Sequence, residues 1–275
     1  PRSTQSRSSA ASDVYKRQVA IASITLIGFA FGVVLAIAGR KLAVVQDATV
    51  ETIYEVLPHA NCGACGFINC ENFAKAVVAD HSNSNKCTVG GKRTAEQIGN
   101  ILGISVGEVS KKTARLFCSG GVKCKDKFEY SGIKTCRNAS LVDDGYKACI
   151  YGCLQFGDCL SVCKYDAIKI GPNKIPIIDK NKCTGCGMCV RACPRSLLKL
   201  VDTKNEVHVA CSSHYSAKEV IDRCSAGCIS CHICEKNCPE KAIAVTDNLA
   251  TIDFIKCKNK KICVEKCPKK VIASI

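Results

Sequence analysis

Four cysteines near the middle of the chain have types and spacing suited to metal chemistry. Residues 183–194 read CTGCGMCVRACP, so Cys183, Cys186 and Cys189 lie three positions apart and Cys193 follows before a proline. This spacing is typical of bacterial [4Fe–4S] sites, in which three thiolates bind one cluster and the fourth binds a neighbouring cluster. Small residues between the cysteines allow the backbone to turn tightly around the metal. The run therefore predicts a partner run elsewhere in the chain.

Three further cysteine runs resemble the first. The run at 228–238 repeats its spacing, the run at 149–163 repeats it with wider early spacings, and the run at 257–267 lacks one cysteine. We expect two pairs, 149–163 with 183–193 and 228–238 with 257–267. The cysteines of these three runs are Cys149, Cys153, Cys159, Cys163, Cys228, Cys231, Cys234, Cys238, Cys257, Cys263 and Cys267.

Zinc is the main alternative to iron and sulfide, because paired C-x-x-C motifs also form zinc sites. A zinc site needs four ligands of its own and has no use for a cysteine donated to a second site. A secreted disulfide scaffold is a second alternative. Its spacings would be irregular, and cluster ligands have to be thiolates in a reducing compartment. The runs therefore favour iron–sulfur clusters.

Composition limits the kind of core that the chain can build. Its 275 residues include 24 cysteines and no tryptophan, and aromatic residues make up 5%. This length allows two or three small domains. Large apolar cores do not fit this composition, so we expect inorganic clusters to hold the domains together.

The formal net charge of +15 overstates the basicity of the surface. A cluster with four thiolate ligands carries about −2 overall, so bound clusters offset much of the positive charge. A basic face would suit the docking of an acidic redox protein. We do not expect a nucleic-acid partner, because no stacking aromatics alternate with the lysines of the last run. These lysines are Lys256, Lys258, Lys260, Lys261, Lys266, Lys269 and Lys270.

The N-terminal region contains an apolar segment. Residues 8–18, SSAASDVYKRQ, resemble a translated sequencing adapter, and we exclude residues 1–18 from the fold prediction. Residues 19–38 carry no charge and are long enough to span a bilayer as a helix. Arg40 and Lys41 follow, so the positive-inside rule places the rest of the chain in the cytoplasm. A signal peptide would have a shorter apolar region and a cleavage site instead.

A separate cysteine set follows this segment with the spacing C-x2-C-x4-C-x16-C. Its members are Cys62, Cys65, Cys70 and Cys87. Glycines beside the first two allow the backbone to approach a cluster closely. We predict helices at 49–57 and 71–80 on either side of the first three cysteines. For this set taken alone, zinc remains an open alternative.

The segment after this set has no ligand spacing that we can assign. Residues 94–102 and 105–117 each begin with a capping-box pattern, which predicts two short helices. Residues 199–209 alternate in the manner of a strand. Five cysteines, interpreted as buried or spare thiols, are Cys118, Cys124, Cys136, Cys211 and Cys224.

The order of these features resembles the B subunit of the Rnf complex, in its longer form with two ferredoxin pairs. The resemblance extends from residue 19 to the C-terminus. It is carried by Gly28, Gly32 and Ala36 in the apolar segment, ANCGACGF at 60–67, CSGG at 118–121, TCR at 135–137, KACIYGC at 147–153 and KCTGCGMCVRACPR at 182–195.

The resemblance implies an α+β chain with one transmembrane helix, a small helical [4Fe–4S] domain and two bacterial-type 2[4Fe–4S] ferredoxin-like units. The expected boundaries are an adapter-derived segment at 1–18, an anchor at 19–38, a linker at 39–48, the [4Fe–4S] domain at 49–92, a connector at 93–140, and ferredoxin-like domains at 141–202 and 203–275.

The resemblance also implies ligand sets for four complete clusters and a fifth. The complete sets are Cys62, Cys65, Cys70 and Cys87; Cys149, Cys153, Cys159 and Cys193; Cys163, Cys183, Cys186 and Cys189; and Cys228, Cys231, Cys234 and Cys267. The fifth has Cys238, Cys257 and Cys263, with Lys260 where a cysteine is expected. An ammonium has no lone pair to offer a metal. We therefore expect a [3Fe–4S] cluster there, with an empty or a repaired site as alternatives.

The function implied is that of an electron carrier in a ferredoxin:NAD⁺ oxidoreductase of the cell membrane that translocates Na⁺ or H⁺. The subunit would accept electrons from soluble ferredoxin and pass them to other membrane subunits of the complex. It would not bind NAD itself, and the chain has no G-x-G-x-x-G loop. The alternative is a polyferredoxin subunit of a hydrogenase, formate dehydrogenase or heterodisulfide reductase, which needs no membrane anchor.

Overall fold

The computed structural model describes residues 5–41 and 47–274. The chain divides into two compact units, Pro1–Asp47 and Ala48–Ile275. The predicted linker at 39–48 lies partly outside the described residues, because it includes residues 42–46.

The first unit contains one long helix, α1, from Gln5–Lys41. Its part Tyr15–Lys41 has a mean hydropathy of 2.5 and is long and apolar enough to cross a membrane. Large apolar side chains such as Leu26 and Phe29 are exposed on it. The predicted anchor at 19–38 lies within α1, whose last turn carries Arg40 and Lys41. The helix thus has an apolar surface that suits a lipid environment.

The second unit begins with a small helical domain. Its helices are α2 (Ala48–Glu55), α3 (Cys70–Ala79) and α4 (Gly91–Leu102), with a 3₁₀ turn at His81–Asn83. Ile53, Phe73 and Ile98 are buried where these helices meet. The Asn69 side chain accepts the N–H of Asn72 at 2.7 Å and so caps α3. The helices predicted at 49–57 and 71–80 are confirmed within two residues.

The helix predicted at 105–117 is wrong. Residues Lys112–Leu116 form strand β1, which pairs antiparallel with β4 (Leu198–Asp202). The local pattern resembled a helix, but pairing with a strand far along the chain determines the conformation. The helix predicted at 94–102 exists as α4 and begins three residues earlier than predicted, at Gly91.

The remaining strands repeat one plan twice. In each half, the first and last strands pair with each other, and the two strands between them form a hairpin. The first half has β1 with β4 and the hairpin β2 (Ile168–Ile170) with β3 (Pro176–Ile178). The second half has β5 (Val207–Val209) with β8 (Ile272–Ser274) and the hairpin β6 (Ile243–Thr246) with β7 (Leu249–Ile252).

Short helices complete both halves. They are α5 (Cys136–Ser140), α6 (Asp158–Ser161) and α7 (Met188–Ala192) in the first half, and α8 (Ala217–Arg223), α9 (Ile233–Lys236) and α10 (Ile262–Lys266) between β5 and β8. This repetition agrees with the expected α+β class and its two ferredoxin-like units. Strand β1 lies in the segment 93–140 that we predicted to be a connector, so this segment contributes a strand to the first ferredoxin-like unit.

The buried cores are built around cysteines. One core combines Leu197 and Leu198 with Cys159 and Cys189, and another surrounds Cys228 and its neighbours with aliphatic side chains. These cores contain thiols in place of large apolar side chains, so their packing depends on the metal centres that the thiols bind.

We predict that Ile98→Ala lowers the stability of the helical domain by about 2–5 kcal/mol, because it leaves a cavity in a fully buried position. The matched control is Ile255→Ala, since Ile255 is 97% exposed and should change stability by no more than about 0.5 kcal/mol. The measurement is the urea midpoint by circular dichroism under anaerobic conditions. Equal midpoints for the two variants would contradict this packing.

Candidate metal centres

Cysteine side chains line five cavities of similar size in the second unit, with volumes of about 330–430 Å³. Each cavity has at least four cysteines in its wall. Within residues 5–41 and 47–274, no group of three or more His, Cys, Asp or Glu side chains is placed to hold one metal ion. A zinc ion would draw four sulfurs to within about 2.3 Å of one point. The described thiols are not arranged as a preformed site of that kind.

The first cavity, of about 330 Å³, lies in the helical domain and brings together the predicted set Cys62, Cys65, Cys70 and Cys87. The side chain of Asn61 accepts the N–H of Cys70 at 2.9 Å and so fixes the start of α3. The Cys87 Sγ accepts the N–H of Gly90 at 3.4 Å. Burial raises the pKa of Cys65 and of Cys87, so both thiols resist ionisation until a metal replaces the proton.

The second cavity, of about 340 Å³, has Cys183, Cys186 and Cys189 together with Cys163 from the preceding run. The fourth cysteine of one run thus lies with the first three cysteines of the other run, as the spacing predicts. The N–H of Ala114 on β1 donates to the Cys183 Sγ at 3.4 Å. Burial, followed by the neighbouring thiols, raises the pKa of Cys189 to about 12. Four closely placed thiolates are therefore unfavourable in the absence of a positive centre.

The third cavity, of about 430 Å³, differs from the expected ligand set. It contains Cys153, Cys159 and Cys193 as expected, but its fourth cysteine is Cys136. Cys149, which we placed in this set, lines a different cavity. The run at 149–163 is therefore not one stretched motif.

The position of Cys136 depends on Asp158, the first residue of α6. One carboxylate oxygen of Asp158 accepts the N–H of Cys136 at 2.8 Å, and the other accepts the N–H of Arg137 at 3.0 Å. These bonds hold the start of α5 against α6, which carries Cys159. The wider early spacings of the run were the available signal, because they depart from the two-residue gaps of the other runs.

The fourth cavity, of about 360 Å³, lies in the second ferredoxin-like unit. It brings together Cys228, Cys231, Cys234 and Cys267, the grouping implied by the family resemblance. Burial raises the pKa of Cys234 to about 11, with smaller effects from neighbouring thiols. This site thus has the same chemical character as the first three.

The three cysteines of the expected fifth site do not line any of these five cavities. The ammonium of Lys260, at the position where a ligand is missing, lies 2.8 Å from one carboxylate oxygen of Glu240. The other oxygen lies 3.3 Å from the ammonium of Lys258. The Cys238 Sγ accepts the N–H of Ala242 at 3.3 Å. Lys260 is therefore engaged by a carboxylate, whose pKa these two lysines lower.

The fifth cavity, of about 400 Å³, is lined by cysteines that we mostly interpreted as spare thiols. They are Cys118, Cys124, Cys149, Cys211 and Cys224. Sequence spacing could not indicate this grouping, because these residues come from separate segments with no shared interval.

Two protein-family models match parts of the chain. The family described as "Putative Fe-S cluster" matches residues 57–89, and the "4Fe-4S binding domain" family matches residues 176–198. The first range includes the cysteines of the helical domain, and the second includes the run at 183–193. The chain is therefore an iron–sulfur protein with [4Fe–4S] clusters, and the ligand sets above are our proposal for its sites.

Curated relatives are similar over most of the chain. The B subunit of the ion-translocating oxidoreductase complex of Methanosarcina acetivorans is 40% identical over 253 residues, which cover 92% of this chain and 96% of the relative. The B subunit of the Na⁺-translocating ferredoxin:NAD⁺ oxidoreductase complex of Acetobacterium woodii is 39% identical, over 90% of this chain and 74% of the relative. The corresponding B subunit of the proton-translocating complex of Clostridium ljungdahlii is 41% identical, over 85% and 83% of the two chains.

We predict that Lys260→Cys converts a three-iron site into a four-iron site, because it restores the two-residue gaps between Cys257 and Cys263. Iron content should rise by about one atom per chain, and the EPR signal of an oxidised [3Fe–4S] cluster should disappear. The control is Lys258→Cys, which also removes a Glu240 partner but places sulfur at an unsuitable spacing. A gain of about four irons would mean that the native site is empty and would contradict the three-iron proposal.

Proposed function

The chain belongs to the B-subunit family of ion-translocating oxidoreductase complexes, and on this basis we propose that it is the membrane-anchored electron-carrier subunit of an Rnf-type ferredoxin:NAD⁺ oxidoreductase. Similarity over almost the full length of the M. acetivorans relative carries this conclusion. It favours this function over that of a polyferredoxin subunit in a hydrogenase, formate dehydrogenase or heterodisulfide reductase.

The protein's part in the reaction is to hold redox centres close together and to keep water away from them. When bound, [4Fe–4S] clusters each carry one electron at a potential set by charge, hydrogen bonds to sulfur and exposure. The short helix α7 contributes Cys189 to one cavity and is followed by Cys193 in the next. The two neighbouring sites of the first ferredoxin-like unit are therefore fixed by the same few residues of backbone.

The helical domain is joined directly to the first ferredoxin-like unit. The Arg191 guanidinium donates to the carbonyl of Cys62, and the Thr88 hydroxyl donates to the carbonyl of Gly185 at 3.3 Å. Cys62 and Gly185 line the first and second cavities. These contacts support the exchange of electrons between the two domains.

We place the helix α1 across the cell membrane as a single span, with the cysteine-rich unit in the cytoplasm. The basic residues Arg40 and Lys41 in its last turn support this orientation through the positive-inside rule. Other membrane subunits of the complex would receive the electrons, and nicotinamide chemistry would take place outside this chain.

For soluble ferredoxin we propose a docking face on the last cysteine run. Four of its lysines contact carboxylates, namely Lys256, Lys258, Lys260 and Lys261. Among the described residues, no carboxylate forms an ion pair with Lys266, Lys269 or Lys270. Lys270 is exposed and Lys269 is half-buried beside Cys267. Their charge is therefore available to an acidic partner.

We predict that the double variant Lys269→Glu with Lys270→Glu slows reduction by ferredoxin roughly tenfold at low ionic strength. It should also flatten the salt dependence, because steering by opposite charges is lost. The measurement is anaerobic stopped-flow reduction of the full chain by pre-reduced ferredoxin, observed through the loss of visible absorbance.

The matched control is Lys164→Glu with Lys169→Glu, which changes the net charge equally at two exposed positions in the first ferredoxin-like unit. This control should reduce at nearly the native rate. Equal slowing by both double variants would mean that net charge causes the effect. Unchanged kinetics in the variant with Lys269→Glu and Lys270→Glu would contradict the proposed docking face.

A further inference from the structure

We infer that Cys118, Cys149, Cys211 and Cys224 hold an additional [4Fe–4S] cluster in the fifth cavity. This site goes beyond the proposed function, because neither family match includes these residues and the sequence motifs assigned only Cys149 to a cluster, in a different ligand set. The cavity has the size of the other four, about 400 Å³, and it is equally rich in sulfur. It therefore offers the same chemical environment to iron and sulfide as the four sites described above.

The walls of this cavity are shaped for a compact inorganic group. Apart from sulfur, they consist mainly of small or apolar residues. A Cβ atom on Gly120 would lie 3.3 Å from the Cys224 Sγ and 3.6 Å from the Cys118 Sγ. A Cβ atom on Gly152 would lie 3.0 Å from the carbonyl oxygen of Cys149. Glycine at position 120 therefore leaves room beside two of the thiols, and glycine at position 152 avoids a close contact with the backbone.

The same backbone contact occurs at each of the four thiols. Every Sγ accepts a hydrogen bond from the N–H of the second residue after it: Gly120 to Cys118, Tyr151 to Cys149, Ser213 to Cys211 and Ala226 to Cys224. In two of the other sites, Phe67 donates to Cys65 and Gln155 donates to Cys153 in the same way. Such N–H groups stabilise a thiolate and fix its direction.

Cys124 is the fifth thiol of the cavity, and we assign it a role as a neighbour and not as a ligand. Its Sγ is hydrogen-bonded to the Sγ of Cys224, so the two sulfurs lie too close to occupy separate corners of one cluster. Its side chain also contacts the carbonyl of the next residue, Lys125, at 3.6 Å. The backbone N–H that contacts the Cys124 Sγ belongs to Cys149 and not to the second residue after Cys124, so this contact differs from the one that the four assigned ligands share.

The site lies between the two ferredoxin-like units. The N–H of Cys153, from the third cavity, donates to the Cys118 Sγ. The N–H of Cys228, from the fourth cavity, donates to the Cys211 Sγ at 3.4 Å. Cys118 is thus one hydrogen bond away from a cysteine of the first ferredoxin-like unit, and Cys211 is one hydrogen bond away from a cysteine of the second. A cluster here places a redox centre in the gap between them.

Backbone pairing holds the two halves of the site together. Lys125 donates its N–H to the carbonyl of Arg223 at 2.9 Å, and Ser225 donates to the carbonyl of Lys123 at 3.1 Å. The Arg223 guanidinium in turn donates to the carbonyl of Ala148 at 3.2 Å, next to Cys149. The ligands thus come from both ferredoxin-like units, and these hydrogen bonds connect the segments that carry them.

The test is iron and acid-labile sulfide content of the full chain purified without oxygen, together with ⁵⁷Fe Mössbauer spectra. The double variant Cys118→Ser with Cys211→Ser should lose about four irons and four sulfides per chain while the other sites stay loaded. The control Cys124→Ser should retain its iron. The single variant Cys224→Ser should change the Mössbauer spectrum of one cluster only, which a general loss of folding would not do.

Several outcomes would overturn the inference. The inference is wrong if the double variant keeps the iron content of the native protein. It is also wrong if this site holds stoichiometric zinc without sulfide. A Cys124–Cys224 disulfide in the anaerobic protein, found by mass spectrometry, would replace it with a thiol pair. Loss of iron from Cys124→Ser but not from Cys224→Ser would overturn the ligand assignment.

Discussion

The coordination of sulfur to iron is the constraint on which the rest of the structure depends. The buried cores contain cysteines at positions where larger proteins place bulky aliphatic or aromatic side chains. Burial raises the pKa of several of these thiols, to about 12 for Cys149 and Cys153, so the metal-free protein would keep them protonated. Metal binding must release these protons, and folding and cluster assembly are therefore linked.

The exchange of cysteines between neighbouring sites gives the fold its repeated plan. In the first ferredoxin-like unit, Cys163 and Cys193 each leave their own run to join the other. This exchange requires the two runs to pack against each other, and the pairing of β1 with β4 and of β2 with β3 encloses them. In the second ferredoxin-like unit, Cys267 likewise joins three cysteines of the run at 228–238. The repeated plan of the sheets thus accompanies a cysteine that crosses from one run to the other in both ferredoxin-like units.

Local spacing was sufficient to predict some sites but not others. The first three cysteines of the helical domain and of the runs at 183–193 and 228–238 lie at short intervals, and the structure brings each of these trios to one cavity. The wide early spacings at 149–163 were a signal that this run departs from the others, but they could not point to Cys136, which Asp158 holds in place from a separate helix. Strand β1 escaped prediction for the same reason, since its partner lies far along the chain. Sequence spacing describes a ligand set only when one loop supplies most of it.

In the predicted fifth site, Lys260 stands where a cysteine is expected. A lysine in place of a cysteine would bring a positive charge next to thiolates. Without another partner, its ammonium would attract these thiolates in competition with iron. Glu240 removes this conflict by accepting Lys260 at 2.8 Å and Lys258 at 3.3 Å. Both lysines are largely exposed, so these pairs add little stability by themselves. Their effect is positional: they direct the ammonium toward the carboxylate and leave Cys238, Cys257 and Cys263 as the available sulfur donors.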